Sequence, residues 1–151
     1  MRASALAAVV VLVALAALAG CGGGSPKSPA DAYRDRADEI CASGQKALRT
    51  VGRPERPSDY PGYLRRSLAA VAPSLAQLKA LTPPPALRSL HNRWIARQQA
   101  NRRALQTLLA RVEGQVDPQA AIDAAAPGIN RGATQLNRIA ARIGFRVCGR
   151  T

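Results

Sequence analysis

An all-α fold, an antiparallel four-helix bundle running up-down-up-down, is what this 151-residue sequence predicts. Apolar residues recur at helical spacing in four separate stretches, and none shows the every-second-residue alternation of a strand. The connections between them are short and rich in Pro and Gly. Helices of similar length joined by a few residues pack as antiparallel neighbours.

The first stretch covers residues 30–51. Ser28 is placed to cap it, with Pro29 at the first helical position and Asp31 three residues after the cap. Its inner face reads Tyr33, Ala37, Ile40, Cys41, Gly44, Leu48 and Val51, and Gly52 with Pro54 ends it. The second covers residues 59–81 behind Ser58, with Leu64, Leu68, Val71, Leu75, Leu78 and Leu81 stepping by four and three. Pro73 interrupts that stripe and is expected to kink it. The third starts at Thr82-Pro83-Pro84-Pro85 and reaches Glu113, stopped by Gly114, with Leu87, Trp94, Leu105, Leu108 and Val112 inward. The fourth starts at the cap pair Asp117-Pro118 and ends at Ile143, closed by Gly144. Its stripe is Ile122, Ala126, Ile129, Ala133, Leu136, Ala140 and Ile143.

Ahead of the helices lies a different kind of segment. Met1-Arg2 is followed by an apolar run over residues 3–19, the pattern of an export signal. The run barely reaches the ~18 residues of a credible membrane span, so length alone leaves signal and anchor nearly tied. It ends in Gly20-Cys21-Gly22-Gly23-Gly24, not in the Lys or Arg that usually anchors a span. Leu18-Ala19-Gly20-Cys21 resembles the lipobox of bacterial lipoproteins, an apolar residue and two small ones before a cysteine. That resemblance implies diacylglycerol on the Cys21 sulfur, cleavage before it, and often a further acyl chain such as palmitate on the new amino terminus. Two or three acyl chains hold a protein to a bilayer where one does so only marginally. The expected organisation is a cleaved signal over residues 1–20, a lipidated cysteine with a Gly/Ser/Pro-rich tether over 21–29, and a helical domain over 30–151. The expected location is the outer face of the bacterial cytoplasmic membrane. The turn Leu78-x-x-Leu81-x-Pro83-Pro84 and the closing Cys148-Gly149 are similar to features of small actinobacterial lipoproteins. This second resemblance implies a cell-envelope setting and names no chemistry.

With Cys21 taken by lipid, Cys41 and Cys148 remain, and two cysteines in an exported domain point to one disulfide. A metal site fails on ligand count, since His91 is the single histidine. Cys41 lies about eleven residues into its helix, roughly 16 Å along the axis. The tail after Gly144 must therefore run back along the first helix, and five extended residues just span that distance. Phe145 and Val147 give it something to bury.

The net charge is +13, one less without Arg2, and nearly all the positive charge is arginine. Six of the nine acids fall between Asp31 and Asp59, and none between Tyr60 and Val112. That acid-free stretch carries Arg93, Arg97, Arg103 and Arg111 among others, so the domain is expected to have a basic side. Such a side reads either as a solvated arginine-rich face or as a contact for an anionic partner: lipid, wall polymer or an acidic protein. Nucleic acid is a poor partner, for no reading motif is present.

No catalytic constellation stands out. The mature chain has one histidine, no methionine and no phosphate-cradling loop, and no haem ligand pair is available, so no cofactor is expected. His91, three residues before Trp94, reads as a packed or rim histidine. Asp35 and Asp38, three apart, read as solvated helix surface. Gln98 and Asn101 share a helix face with Trp94 and Leu105, roughly level with Gly44, Pro73 and Pro127-Gly128. That central polar layer admits three readings: an internal pocket for a small ligand, a buried layer fixing helix register, or side chains that reach solvent. Two functions follow. One is a non-enzymatic envelope lipoprotein with a basic surface for an anionic partner; the alternative is a small-ligand-binding bundle using the central layer.

Overall fold

The computed structural model describes residues 26–115 and 117–149, and the expected signal segment over 1–20 and Cys21 lie outside them. Among the described residues the fold is all-helical, without strands. α1 spans Pro29–Arg49, α2 Tyr60–Ala80, α3 Arg88–Val112 and α4 Gln119–Ile143, with 3-10 turns at Pro57–Asp59 and Pro85–Leu87. None of these helices is long and apolar enough to cross a membrane.

Local chemistry sets the ends. Ser28 Oγ accepts the Asp31 N–H at 3.1 Å, and Pro29 occupies the first turn of α1. The second helix begins differently from its expected start. Residues 57–59 form a 3-10 turn in which Asp59 Oδ2 accepts the Arg56 N–H, so Asp59, not Ser58, ties down this entry. Prolines likewise tighten the entry to α3 into a 3-10 turn, and α3 proper starts at Arg88. Asp117 Oδ1 accepts the Gln119 N–H at the start of α4. α2 and α4 run through Pro73 and Pro127, both exposed on the outer side. Gly144 closes α4 at φ 91, with Phe145 N–H bonded to Ala140 O and Gly144 N–H to Ala141 O. This is a Schellman turn, and it needs the left-handed backbone that glycine adopts without strain.

α3 packs most extensively on α4, then α1 on α2 and α2 on α3. The core has two parts. The larger joins Tyr33, Ala37 and Ile40 of α1 to Leu78, Leu87, Trp94, Leu136, Ala140 and Ile143, and takes in Phe145 and Cys148 of the tail. The smaller joins Leu64 of α2 to Leu108 and Val112 of α3, with Ile122 and Ile129 of α4 half-buried against it. α1 contributes nothing to this second part.

The tail is docked. Cys148 is bonded to Cys41 with Cα atoms 5.2 Å apart, and Phe145 packs edge-on to Trp94 at 5.2 Å. Asp38 is buried, contrary to the solvated surface expected of it. Its carboxylate accepts the backbone N–H groups of Arg146, Val147 and Cys148 at 2.9, 2.8 and 3.2 Å. The physical reason is the turn at Gly144. It lays an irregular segment along α1, whose backbone donors have no helical partner and need an acceptor there. Asp35 remains at the surface and pairs with Lys27 and Arg146. Arg34 Nε donates to Ile143 O, tying α1 to the C-terminal end of α4.

Candidate functional site

The apolar stripes read from the sequence are not uniformly buried. Leu64, Leu68 and Leu78 of α2 are covered, whereas Val71 and Leu75 between them are only half-buried. Leu105 of α3 is half-buried too, and Leu48 of α1 is 37% exposed. Apart from Leu64, these side chains border one space, an open cleft of about 230 Å³ between α1, α2 and α3.

At the α1 wall, Gly44 sits so near α2 that a Cβ there would meet Ser74 Oγ at 2.8 Å. Glycine thus allows a close α1–α2 approach, and the cleft opens from this contact toward α3. The Cys41–Cys148 disulfide borders it as well. Leu68, Val71, Leu75, Leu78 and Leu105 make most of the wall apolar. Polar groups are few and come from five side chains: Gln45, Ser74, the carboxamides of Gln98 and Asn101, and Arg102. Gln45 Nε2 donates to Val147 O at 3.1 Å, so the α1 wall is braced by the tail. Arg102 Nε is buried and finds no hydrogen-bond partner among the described residues. A buried donor without an acceptor costs on the order of 1–3 kcal/mol, more for a charged group.

Arg102 and Leu75 also border a second, basic groove on the outer side of α2 and α3, where Lys79, Arg103, Gln99 and Gln106 stand. Cleft and groove therefore share a wall.

Of the central layer, Gln98 and Asn101 stand at the cleft together with Gly44. Trp94 does not. It is fully buried against Phe145 in the larger core, one turn earlier on α3, and its Nε1 has no acceptor among the described residues. Pro73 and Pro127-Gly128 are exposed, and the neighbours that count are Ser74 and Gly132. A Cβ at Gly132 would lie 2.9 Å from Asn101 Oδ1, so that carboxamide rests against the α4 backbone.

His91 is buried and shares a 2.7 Å hydrogen bond between its Nδ1 and Tyr33 Oη. Burial holds the imidazole pKa below its ordinary value and pushes the Tyr33 phenol up to about 12. Arg93 and Arg97 border a groove with Ile139 of α4, Arg103 faces the α2–α3 groove, and Arg111 is exposed near the end of α3. None of the four is in an ion pair among the described residues, where Arg34, Arg36, Arg56, Arg65 and Arg146 are. No group of three or more His, Cys, Asp or Glu among those residues could hold a metal ion.

Sequence reasoning passed over Ser74, and it placed Arg102 in the acid-free basic stretch, not at the central layer. The signal for each was present: Ser74 lies three residues after Val71 and four before Leu78, and Arg102 four after Gln98. Both are polar residues beside an apolar stripe. Comparison of the chain with protein-family models, curated proteins and solved structures found no match.

Proposed function

We propose that this chain is an exported, lipid-anchored and non-enzymatic binding protein of the bacterial cell envelope, whose cleft between α1, α2 and α3 takes a small, largely apolar ligand. The observation that carries the reading is the cleft itself: apolar on most of its wall, polar at a few points, and bordered by leucines that tight packing would cover. Ligand sites have this character, and a volume of about 230 Å³ suits a small molecule, since drug-sized pockets run from about 300 Å³ upward. Diacylglycerol on Cys21 would hold the domain beside the bilayer on the tether of residues 22–29. We read the helices as up-down-up-down, because early α2 meets late α3 at Leu64 and Val112 while late α2 joins the entry turn and first half of α3 at Leu78, Leu87 and Trp94.

A second reading has its own support. Arg93, Arg97, Arg103 and Arg111, unpaired among the described residues, make α3 attractive to an anionic lipid, wall polymer or acidic protein.

Gentle purification from the native host followed by mass spectrometry tests both location and ligand. The expected result is a polypeptide that starts at Cys21, is heavier by its acyl chains, and carries a small co-purifying molecule that is lost in Val71→Phe. An unacylated chain would remove the anchor. A ligand retained by Val71→Phe would remove the cleft as its site.

A further inference from the structure

Resting on the cleft reading, we infer that the ligand is an amphiphilic anion, with an apolar tail between α1, α2 and α3 and an acidic head held by Arg102. Three observations converge on that residue. Its Nε is buried with no partner among the described residues and none of the ion pairs there takes up its charge, so its guanidinium stands at the cleft edge unneutralised by those residues. Arg102 borders both the apolar cleft and the basic groove. On the groove side Lys79 and Arg103 flank it, and no acid occurs between Tyr60 and Val112, so the local field favours a negative charge.

The carboxamides of Gln98 and Asn101 stand on the same helix within one turn of Arg102 and can hydrate or orient an acidic head. The rest of the cleft offers a tail aliphatic side chains and a disulfide. Its volume of about 230 Å³ is small, which favours a short to medium tail over a long one. A neutral ligand could accept a hydrogen bond from Arg102 but would leave its charge unmatched, and a cationic one would meet Lys79 and Arg103.

The test is calorimetry on the full chain in nanodiscs, with empty nanodiscs as the blank and octanoate, 1-octanol, octylammonium and acetate as probes. Octanoate is expected to bind, 1-octanol more weakly, and octylammonium and acetate not at all. Val71→Phe should abolish octanoate binding. Arg102→Gln should weaken octanoate by about tenfold while leaving 1-octanol unchanged, as expected for loss of a charge-assisted hydrogen bond. Equal binding of octanoate and 1-octanol, both indifferent to Arg102→Gln, overturns the anion and leaves the cleft reading standing. Acetate binding as well as octanoate overturns the tail. Failure of every eight-carbon probe, or binding unchanged by Val71→Phe, overturns the cleft reading and this inference together. Should Arg102→Gln fail to fold, Lys79→Gln/Arg103→Gln decides, since both side chains are exposed. Octanoate affinity about threefold weaker and less salt-dependent is then expected, and affinity unaltered at every salt concentration overturns the inference.

Discussion

At the end of the molecule where the chain terminates, four helices and a tail surround Tyr33, Trp94, Ile143 and Phe145, and a disulfide, a buried carboxylate and an arginine–carbonyl bond cross the packing. At the opposite end, α2, α3 and α4 alone enclose Leu64, Leu108 and Val112. Part of the reason is length: α1 has 21 residues against 25 in α3 and α4, and its last turns, with Leu48, are exposed. The cleft lies where the cover given by α1 runs out. A bundle with one clamped end and one thin end can hold a partly open space between them. The clamp supplies the rigidity, and the thin end lacks the side chains to fill the gap.

The strongest way to break this comparison is to remove the disulfide. It closes a loop of 107 residues, and Cys41→Ser/Cys148→Ser is expected to cost about 4–5 kcal/mol on the chain-entropy model, read from chemical denaturation. Hydrogen exchange on the same variant should show faster opening at residues 144–149 and early α1 than at Leu108. Uniform acceleration along the chain would mean that the two ends form one cooperative unit, and the contrast between them would fail.

Next in size is Asp38→Ala. Three backbone N–H groups of the tail lose their acceptor at once. With the disulfide intact they cannot retreat far into water, and a loss of about 3 kcal/mol is expected. A change under 1 kcal/mol would show that the tail is held by Phe145 and the disulfide alone.

How much of this was legible in the sequence depended on the period of the signal. Four helices follow from stripes such as Leu64-Leu68-Val71-Leu75-Leu78, because a 3.6-residue period survives any detail of packing. The disulfide was legible because only two cysteines remained once Cys21 was assigned to lipid, and the docked tail because Cys41 sits deep in its helix. Asp38 was not legible. Its spacing from Asp35 matches a solvated helix edge, and only the path of residues 146–148, set by Gly144, turns it inward. The cleft was legible in part. Gln98 and Asn101 could be placed on an inner face, but which residues of α1, α2 and α4 stand opposite depends on helix rotation, which the stripes constrain only to within a residue or so. Ser74 therefore stands at the cleft instead of Pro73, Gly132 meets Asn101 instead of Gly128, and Trp94 falls into the core.

The smallest expected effect sharpens the contrast through acid. Burial holds His91 below its ordinary pKa in the folded chain, while in the unfolded chain it returns to about 6.5. Between the two values the unfolded state binds more protons, so stability falls as pH drops below about 7 and stops falling once the folded imidazole is also charged. The slope in that window cannot exceed about 1.4 kcal/mol per pH unit for one group. Asp31, Asp35 and Asp59 are held below the usual carboxylate range by their hydrogen bonds and nearby cations and stay ionised in that window. Melting temperature against pH from 5 to 8 should decline on the acid side for the native chain and stay flat for His91→Gln. Because His91 bonds Tyr33 in the larger core, exchange in early α1 and early α3 should quicken first on acidification, ahead of the Leu64–Leu108 end. Equal quickening at both ends would show that the clamp and the thin end rise and fall together.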